Sequence, residues 1–513
     1  MADAVDLLVI GGGINGAGIA RDAAGRGLSV VLCEKGDLAE ATSSRSSKLV
    51  HGGLRYLEYY QFRLVHEALV EREVLLRSAP HIVWPTRFVL PHSPQDRPAW
   101  MVRLGLFLYD HIGGRRTLPG CRALDLSREP EGAALLPRYV KGFEYPDCCT
   151  EDARLTILAA LDARERGARV LTRTLVESAR RDGALWRATI VDASSGERRE
   201  IAARALVNAA GPWVDRVIDR IEGARTKFAV KLVKGSHIVT PKFFDGPQAY
   251  LVQNHDRRVI FVIPYQGDLA LIGTTDIPFE GAPETVGADE EEIVYLLAAV
   301  AGYFRNAPKR EDVIEAWAGV RPLFDDGRGD PSAVTRDYVL ELDAADGAPL
   351  LNVFGGKITT FRRLAEHALQ KLKPFFPAAS GDWTAQAALP GGEIDGGDFE
   401  RFVARLARDF PFLPPSLVRH YARFYGARAL KLLGPASSLA DLGRRFGPDF
   451  FEIEARYLFE EEWAETADDI LVRRTKHGLR LTADERAAFA TWIDSRAGGA
   501  SSTRVHESNL SLD

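Results

Sequence analysis

The stretch Asp6-Leu7-Leu8-Val9-Ile10-Gly11-Gly12-Gly13-Ile14-Asn15-Gly16-Ala17-Gly18 restricts what this chain can fold into more than any other. Its short apolar run is read as a buried parallel strand, and Ala-rich, helix-favouring sequence follows to about Arg26. Gly11, Gly13 and Gly16 place G-x-G-x-x-G between the two. In such a strand–turn–helix unit Gly11 permits the tight turn, Gly13 lets backbone approach a pyrophosphate, and Gly16 lets helix and strand pack closely. The helix amino end turns free N–H groups and a positive dipole end toward that anion. A second strand, Leu28 to Cys33, ends at Glu34, 18 residues past Gly16. An acidic residue at that distance accepts hydrogen bonds from a ribose, so the opening predicts a dinucleotide site.

A chain of 513 residues with 46% apolar and 27% charged residues is expected to form two or three soluble globular domains. The net charge of −5 and the absence of a Lys/Arg block exclude nucleic acid as an expected partner. No signal peptide is expected, and no apolar run approaches the ~18–20 residues that cross a bilayer. Cys33, Cys121, Cys148 and Cys149 have no zinc or redox spacing and are read as ordinary, mostly buried thiols.

Residues Ala41 to Tyr56 are rich in Ser and Gly, with Lys48, His51, Arg55 and Tyr56 among them. They fall at the carboxyl end of the first sheet, where α/β folds bind ligands, so hydroxyls and backbone amides there suit a diphosphate. Gln61 to Ser78 has helical apolar spacing. The prolines from Pro80 to Pro98 suggest a change of domain. Trp100 to Tyr109 is almost wholly apolar with arginines on both sides, and two readings stay open: a buried helix, or a segment lying in a membrane surface.

Glu151–Gly167 reads as a helix, Arg169–Arg180 as a strand, and Trp186–Asp192 with Glu200–Ala203 as a hairpin. Ala205 to Trp213 is a strand ending in small residues. From Val230 to Gly273, and again near Trp317 and Tyr338, β-rich runs predict a mostly antiparallel sheet outside the first domain. A second strand–glycine–helix unit follows at Leu350 to Phe361. Its helix, to Lys373, is either a packed surface helix or a basic membrane-surface helix. Gly-rich sequence after Leu389 marks a linker; the remainder is helical by pattern, with a frayed end.

Taken together, Val9–Gly18, Thr42–Tyr56, Lys234–His237, Ile272–Asp276, Gly319–Pro322, Phe354–Lys357 and Ala467–Lys476 resemble the FAD-dependent, respiratory glycerol-3-phosphate dehydrogenases. The resemblance spans nearly the whole chain. It implies an α/β fold: a glutathione-reductase-like, Rossmann-like FAD domain, an antiparallel substrate-capping domain and a C-terminal helical domain. The boundaries drawn are 1–82, 146–227 and 348–388 for the FAD domain, 83–145 and 228–347 for the cap, and 389–513 for the helical domain.

The same resemblance implies FAD contacts at Gly11, Gly13, Ile14, Asn15, Gly16, Glu34, Lys35, Thr42, Ser43, Ser46, Lys48, Leu49, His51 and Gly52. Further along it implies Gly211, Trp213, Gly355, Gly356, Lys357, Ile358 and Thr359, with no metal. The implied reaction oxidises sn-glycerol 3-phosphate to dihydroxyacetone phosphate and hands electrons to membrane quinone. The protein would then sit on the cytoplasmic face of the membrane, attracted to anionic lipid, with room for a homodimer.

Side-chain chemistry agrees with that reaction. His51 and His237 titrate near neutrality and are candidate proton acceptors. Arg55, Arg336 and Lys357, with Tyr56 beside them, are candidates for the substrate phosphate; Arg321 is the candidate to polarise the reacting oxygen. Amides of Gly355 and Gly356 are aimed at the electron-rich end of the cofactor. Three other functions stay open: an oxygen-using glycerol-3-phosphate oxidase, a related FAD amine oxidase, and a flavin-binding partner protein without catalysis.

Overall fold

The structure, a computed structural model, describes residues 4–94, 97–114, 117–254, 256, 258–325, 337–345 and 347–508. Two sheets organise it. The first has eight strands, with Val5–Ile10 at the centre between Val30–Cys33 and Arg198–Asn208. Arg169–Leu171 continues one side in parallel; Leu350–Phe354 continues the other, followed by antiparallel Val339–Asp343. The parallel strands are buried on both faces, which explains their continuous apolar sequence (Leu7, Leu8 and Val9 are fully buried). One face is covered by the helices Ile14–Gly25, Asp152–Glu165 and Phe361–Leu372. The expected hairpin extends from this sheet as Leu185–Asp192 and Arg198–Asn208. The expected single strand over Arg169–Arg180 is two, because Arg173 takes a positive φ of 50° between Arg169–Leu171 and Thr174–Asp182.

The second sheet has ten strands. Ala229–Pro241 pairs antiparallel with Leu269–Gly273, Ile277–Phe279 and the long Glu315–Asp325. Val83–His92 and Lys141–Thr150 join it from earlier in the chain, and the pairing of Ala249–Gln253 with Val83–His92 is parallel. The proline-rich segment is therefore itself a strand, with Pro85 and Pro91 opposite Cys148 and Gly142. The helix Glu290–Ala301 packs on this sheet; Asp289 and Glu292 close a capping box at its start, a device that contributes about 1 kcal/mol.

After residue 389 the chain forms a third unit around its own core of Phe402, Leu417, Tyr421, Phe450, Leu458 and Phe489. The helices Phe399–Asp409, Pro415–Tyr425 and Glu452–Glu461 supply most of it, and Ala483–Ser508 is helical where fraying was expected. The unit is fastened to the first domain by charge. Arg154 and Glu462 pair with both side chains wholly buried, and Asp37 receives Arg473 and Arg474. Removing either partner of such a buried pair strands the other charge.

Candidate active site

One cavity of about 620 Å³ runs between the carboxyl end of the first sheet and the face of the second. At one end Val5–Ile10 delivers Gly11 at φ +108°, where a Cβ would stand 2.6 Å from the Ala209 carbonyl oxygen. A Cβ at Gly16 would lie 1.8 Å from the Gly11 oxygen, so the helix rests directly on the turn. Gly13 is nearly open, its nearest neighbour being the Ser43 hydroxyl at 3.2 Å, which leaves its backbone accessible from the cavity. Glu34 fastens the turn, accepting from the amides of Gly12 (2.7 Å) and Gly36 (2.8 Å). A carboxylate has about four acceptor positions, so capacity remains on Glu34 for hydroxyls of a ligand. Burial pushes its pKa up.

The second glycine turn meets the first through Asn15. Its Nδ2 donates to the Gly355 carbonyl at 3.0 Å, while its Oδ1 is buried on the cavity wall with no partner among the described residues. Gly355 and Gly356 take φ of +77° and +106°, values that disfavour side chains. Thr42 donates to the Val320 carbonyl and Ser43 accepts the Ile14 amide, so the Ser-rich run bridges the two sheets.

The cap supplies the other wall. His237 lies in Ala229–Pro241, opposite Gly273 and Trp317. A Cβ on Gly273 would sit 2.2 Å from the imidazole, and Trp317 stacks on it at 5.8 Å. Its Nε2 meets the Ser47 hydroxyl at 2.9 Å; its Nδ1 is buried without a partner among the described residues. Burial, with Lys48 and Arg321 nearby, pushes the His237 pKa down to about 3. Arg321 donates to Asp276 (2.9 Å) and to the Thr275 carbonyl (3.2 Å). His51 follows the two-residue strand Leu49–Val50, and its pKa is lowered by burial and by Lys357 against the opposing charge of Asp147. The Lys357 ammonium lies 4.2 Å from the centre of the Tyr56 ring.

Of the residues expected at the site, the cavity wall includes Gly11, Gly13, Ile14, Asn15, Glu34, Lys35, Thr42, Ser43, Ser46, Leu49, His51 and Tyr56. It also includes Gly211, Trp213, His237, Arg321, Gly355, Gly356, Lys357, Ile358 and Thr359. Gly16 stands behind the wall for the packing reason above. Three more lie off that wall. Lys48 does not line the cavity: its ammonium is buried against Asp152 at 2.9 Å, and Ser46 donates to the same carboxylate. Gly52 faces away, toward Leu69 and the Tyr109 hydroxyl. Arg55 is off the wall, and its Nε is buried with no partner among the described residues. Arg336 lies outside the described residues.

Several wall residues were not anticipated. Arg45 is desolvated there, which lowers its pKa. Glu284 reaches over from the cap to accept from Trp213 Nε1 and Arg216 (3.1 Å), while Lys35 sits 3.6 Å from the Trp213 ring centre. Arg45 falls within the Thr42–Tyr56 run but was not picked out from it, whereas Arg216 and Glu284 are ordinary surface types with no periodicity or motif to mark them. Away from the cavity, His420 and His477 share the buried Glu454 carboxylate at 2.6 and 3.0 Å.

Residues 6–362 match the family model described as FAD dependent oxidoreductase, and residues 383–495 match the C-terminal domain of alpha-glycerophosphate oxidase. The aerobic glycerol-3-phosphate dehydrogenase of Escherichia coli (strain K12) is 51% identical over 95% of this chain and 97% of that protein. The chain belongs to the FAD-dependent glycerol-3-phosphate dehydrogenase family. D-erythritol 1-phosphate dehydrogenase of Brucella abortus (strain 2308), at 63% identity over 95% of this chain and 97% of its own length, is more similar still. The fold is also that of the glycerol-3-phosphate dehydrogenase of Bacillus halodurans, solved with FAD: TM-score 0.75, 28% identity, covering 96% of this chain and 95% of that one.

The cofactor of this family fits the cavity. Two glycine cradles, the partnerless Asn15 Oδ1 and the carboxylate of Glu34 are what a pyrophosphate, a polar ring edge and a ribose require. Of the two readings left open for the helix after Phe361, the packed one describes it. Arg362 of Phe361–Leu372 is buried, donating to Glu71 at 2.8 Å and pairing with Glu366. The Trp100–Tyr109 segment departs from its buried reading: in the helix Ala99–Ile112 only Leu106 and Tyr109 are buried. Among the described residues no helix is long and apolar enough to cross a membrane.

Proposed function

We propose that this family member oxidises the secondary hydroxyl of a short-chain polyol phosphate, converting sn-glycerol 3-phosphate to dihydroxyacetone phosphate and passing the electrons to quinone. The observation that carries the reading is the meeting, in one cavity, of two neutral imidazoles with the cations of Arg321 and Lys357 beside the paired glycine turns. FAD, when bound, supplies a flavin N5 that accepts the hydride from C2.

The chain's part is to take a proton and hold charge. An imidazole pushed down to about 3 is neutral at physiological pH but a weak base, so His237 suits hydrogen bonding to the reacting hydroxyl. His51 is the better proton acceptor, because Asp147 favours the imidazolium once formed. Arg321, on the cavity wall, is the candidate donor to a developing oxyanion, and Lys357, with Arg55 and Arg336 beside it in this reading, is the candidate for the phosphate. Removing one such charge-assisted contact weakens substrate binding by roughly 1.5–3 kcal/mol.

D-Erythritol 1-phosphate is a second reading, favoured by the 63% identity to the Brucella enzyme. Quinone as acceptor, and attachment to the cytoplasmic face of the membrane, are supported by exposed apolar side chains on Ala99–Ile112. Anaerobic mixing of the FAD-loaded protein with each phosphate tests the substrate: the true one bleaches the flavin in a single fast phase, with at least ~100-fold higher kcat/KM than its rival. If neither bleaches it, the polyol-phosphate reading is lost. Turnover with a soluble quinone, and no hydrogen peroxide in air, is the expected acceptor pattern; stoichiometric peroxide would assign the oxidase instead.

A further inference from the structure

Behind the His51 turn lies a buried carboxylate that neither the glycine motifs nor the family resemblance singled out. Asp147 belongs to the strand Lys141–Thr150, whose Cys148 and Cys149 pair with Val50 and Leu49. Its Oδ1 accepts from the Gly52 amide at 3.2 Å, from Arg72 Nη1 at 2.9 Å and from the Tyr109 hydroxyl at 2.9 Å; the same hydroxyl reaches Oδ2 at 2.7 Å. All three side chains are nearly inaccessible to solvent. The Tyr109 hydroxyl also lies where a Cβ of Gly52 would be, at 2.5 Å. The backbone next to His51 is thus clamped between a carboxylate and the hydroxyl bound to it. A buried carboxylate with a full set of donors is held tightly, because each lost partner leaves a desolvated charge unmatched.

We propose that Asp147 is a positioning residue for His51, fixing its turn through the Gly52 amide and sustaining the imidazole as a proton acceptor, with Tyr109 and Arg72 holding Asp147 in place. This rests on His51 as the proton acceptor. The charged and titratable groups involved come from several elements. Lys357, on the loop after Leu350–Phe354, disfavours the imidazolium, and Asp147 favours it. Around Asp147 stand Arg72, with Glu73 paired behind it, Tyr109, and Tyr145 and Cys148 of its own strand. Burial and the Asp147 charge keep Tyr109 protonated, hence a donor, while the same Asp147 charge, against burial, holds Arg72 charged.

The sign follows from these charges. Asp147→Asn removes the group that favours the imidazolium, so the His51 pKa falls. The acid limb of flavin reduction then moves to lower pH, by about one unit for a close opposite charge, while the weakened base lowers the plateau rate about 10-fold. Tyr109→Phe takes a donor away but leaves the charge, which concentrates on the carboxylate and moves the limb slightly the other way. A role confined to folding would lower the amount of loaded enzyme in both variants and leave both limbs in place.

The experiment is anaerobic stopped-flow reduction of the FAD-loaded full chain by glycerol 3-phosphate and by erythritol 1-phosphate across pH, for wild type, His51→Ala, Asp147→Asn and Tyr109→Phe. Opposed shifts in the last two, with a slow His51→Ala, are the expected result. A slow His51→Ala beside an Asp147→Asn of wild-type rate and limb overturns the positioning role alone. A wild-type rate in His51→Ala overturns the base assignment and this proposal with it. Should Asp147→Asn fail to load FAD, a Tyr109→Phe limb that stays at the wild-type position is the overturning outcome.

Discussion

On the helix Ala99–Ile112, Trp100 is 65% and Phe107 57% exposed, with Met101 and Leu104 beside them. Tyr59, Tyr60 and Phe62, close by in the chain to the cavity residue Tyr56, are exposed as well. On the helix Phe361–Leu372 the reverse holds. Its apolar stripe of Phe361, Leu364, Ala365, Ala368 and Leu372 is packed into the first domain, and Arg362 goes in with it. Both segments combine apolar residues with arginines, yet one shows its apolar side to solvent and the other hides even a charge. The difference lies in what the rest of the chain brings. Arg362 finds Glu71, Glu366 and Thr384 waiting. The outer side of Ala99–Ile112 meets no other element among the described residues, so its apolar area remains available to a lipid surface or another apolar partner.

The sharpest way to break this contrast is Arg362→Ala. It leaves Glu71 and Glu366 buried without their shared cation, a loss of about 3–5 kcal/mol, read as a large drop in Tm together with poor FAD retention. A Tm within a degree or two of wild type would mean that Arg362 is solvated after all, and would restore the helix as a candidate membrane face.

Phe107→Ser should act on the opposite property. Loss of one large exposed apolar side chain weakens partition into anionic vesicles by roughly 1.5–3 kcal/mol, seen by flotation, with Tm unchanged. If the wild-type chain floats with no vesicle composition, this face serves something other than lipid and the quinone reading weakens.

The smallest effect belongs to Arg363, the neighbour of Arg362. It pairs with Glu366 at 2.8 Å but is 37% exposed, so Arg363→Ala should cost no more than about 1 kcal/mol in thermal unfolding. A loss as large as that of Arg362→Ala would show that the two arginines form one buried unit.

The same contrast marks what was legible in the sequence. Both strand–glycine–helix units, the hairpin at Ser194-Ser195-Gly196 and the antiparallel character of the cap followed from local rules: apolar period, turn residues, helix starts. So did the buried stripe of Phe361–Leu372. What escaped were pairings set by distance along the chain. The ion pair of Lys48 was not foreseen because Asp152, 104 residues on, is silent in a local reading. Arg362 looked exposed because Glu71 lies 291 residues away. Asp147 drew no reading at all, because its partners Arg72 and Tyr109 lie 75 and 38 residues away. Continuous apolar sequence from Trp100 carried no period, so nothing local said which side would be covered.

The strand order of the first sheet has a consequence for how the molecule is made. Val5–Ile10 is flanked by Val30–Cys33 on one side, but on the other by Arg198–Asn208, and that strand in turn by Leu350–Phe354. The Gly11 turn is therefore joined to the Gly355 turn only after Leu350–Phe354, more than 300 residues on, has been made. At 5–20 residues per second, roughly 20–70 s separate the two events. Throughout that interval the nascent chain presents an unfinished sheet edge and half a cradle. A ligand that needs both glycine turns is therefore held only once Gly355 has been made, however early the Gly11 turn folds.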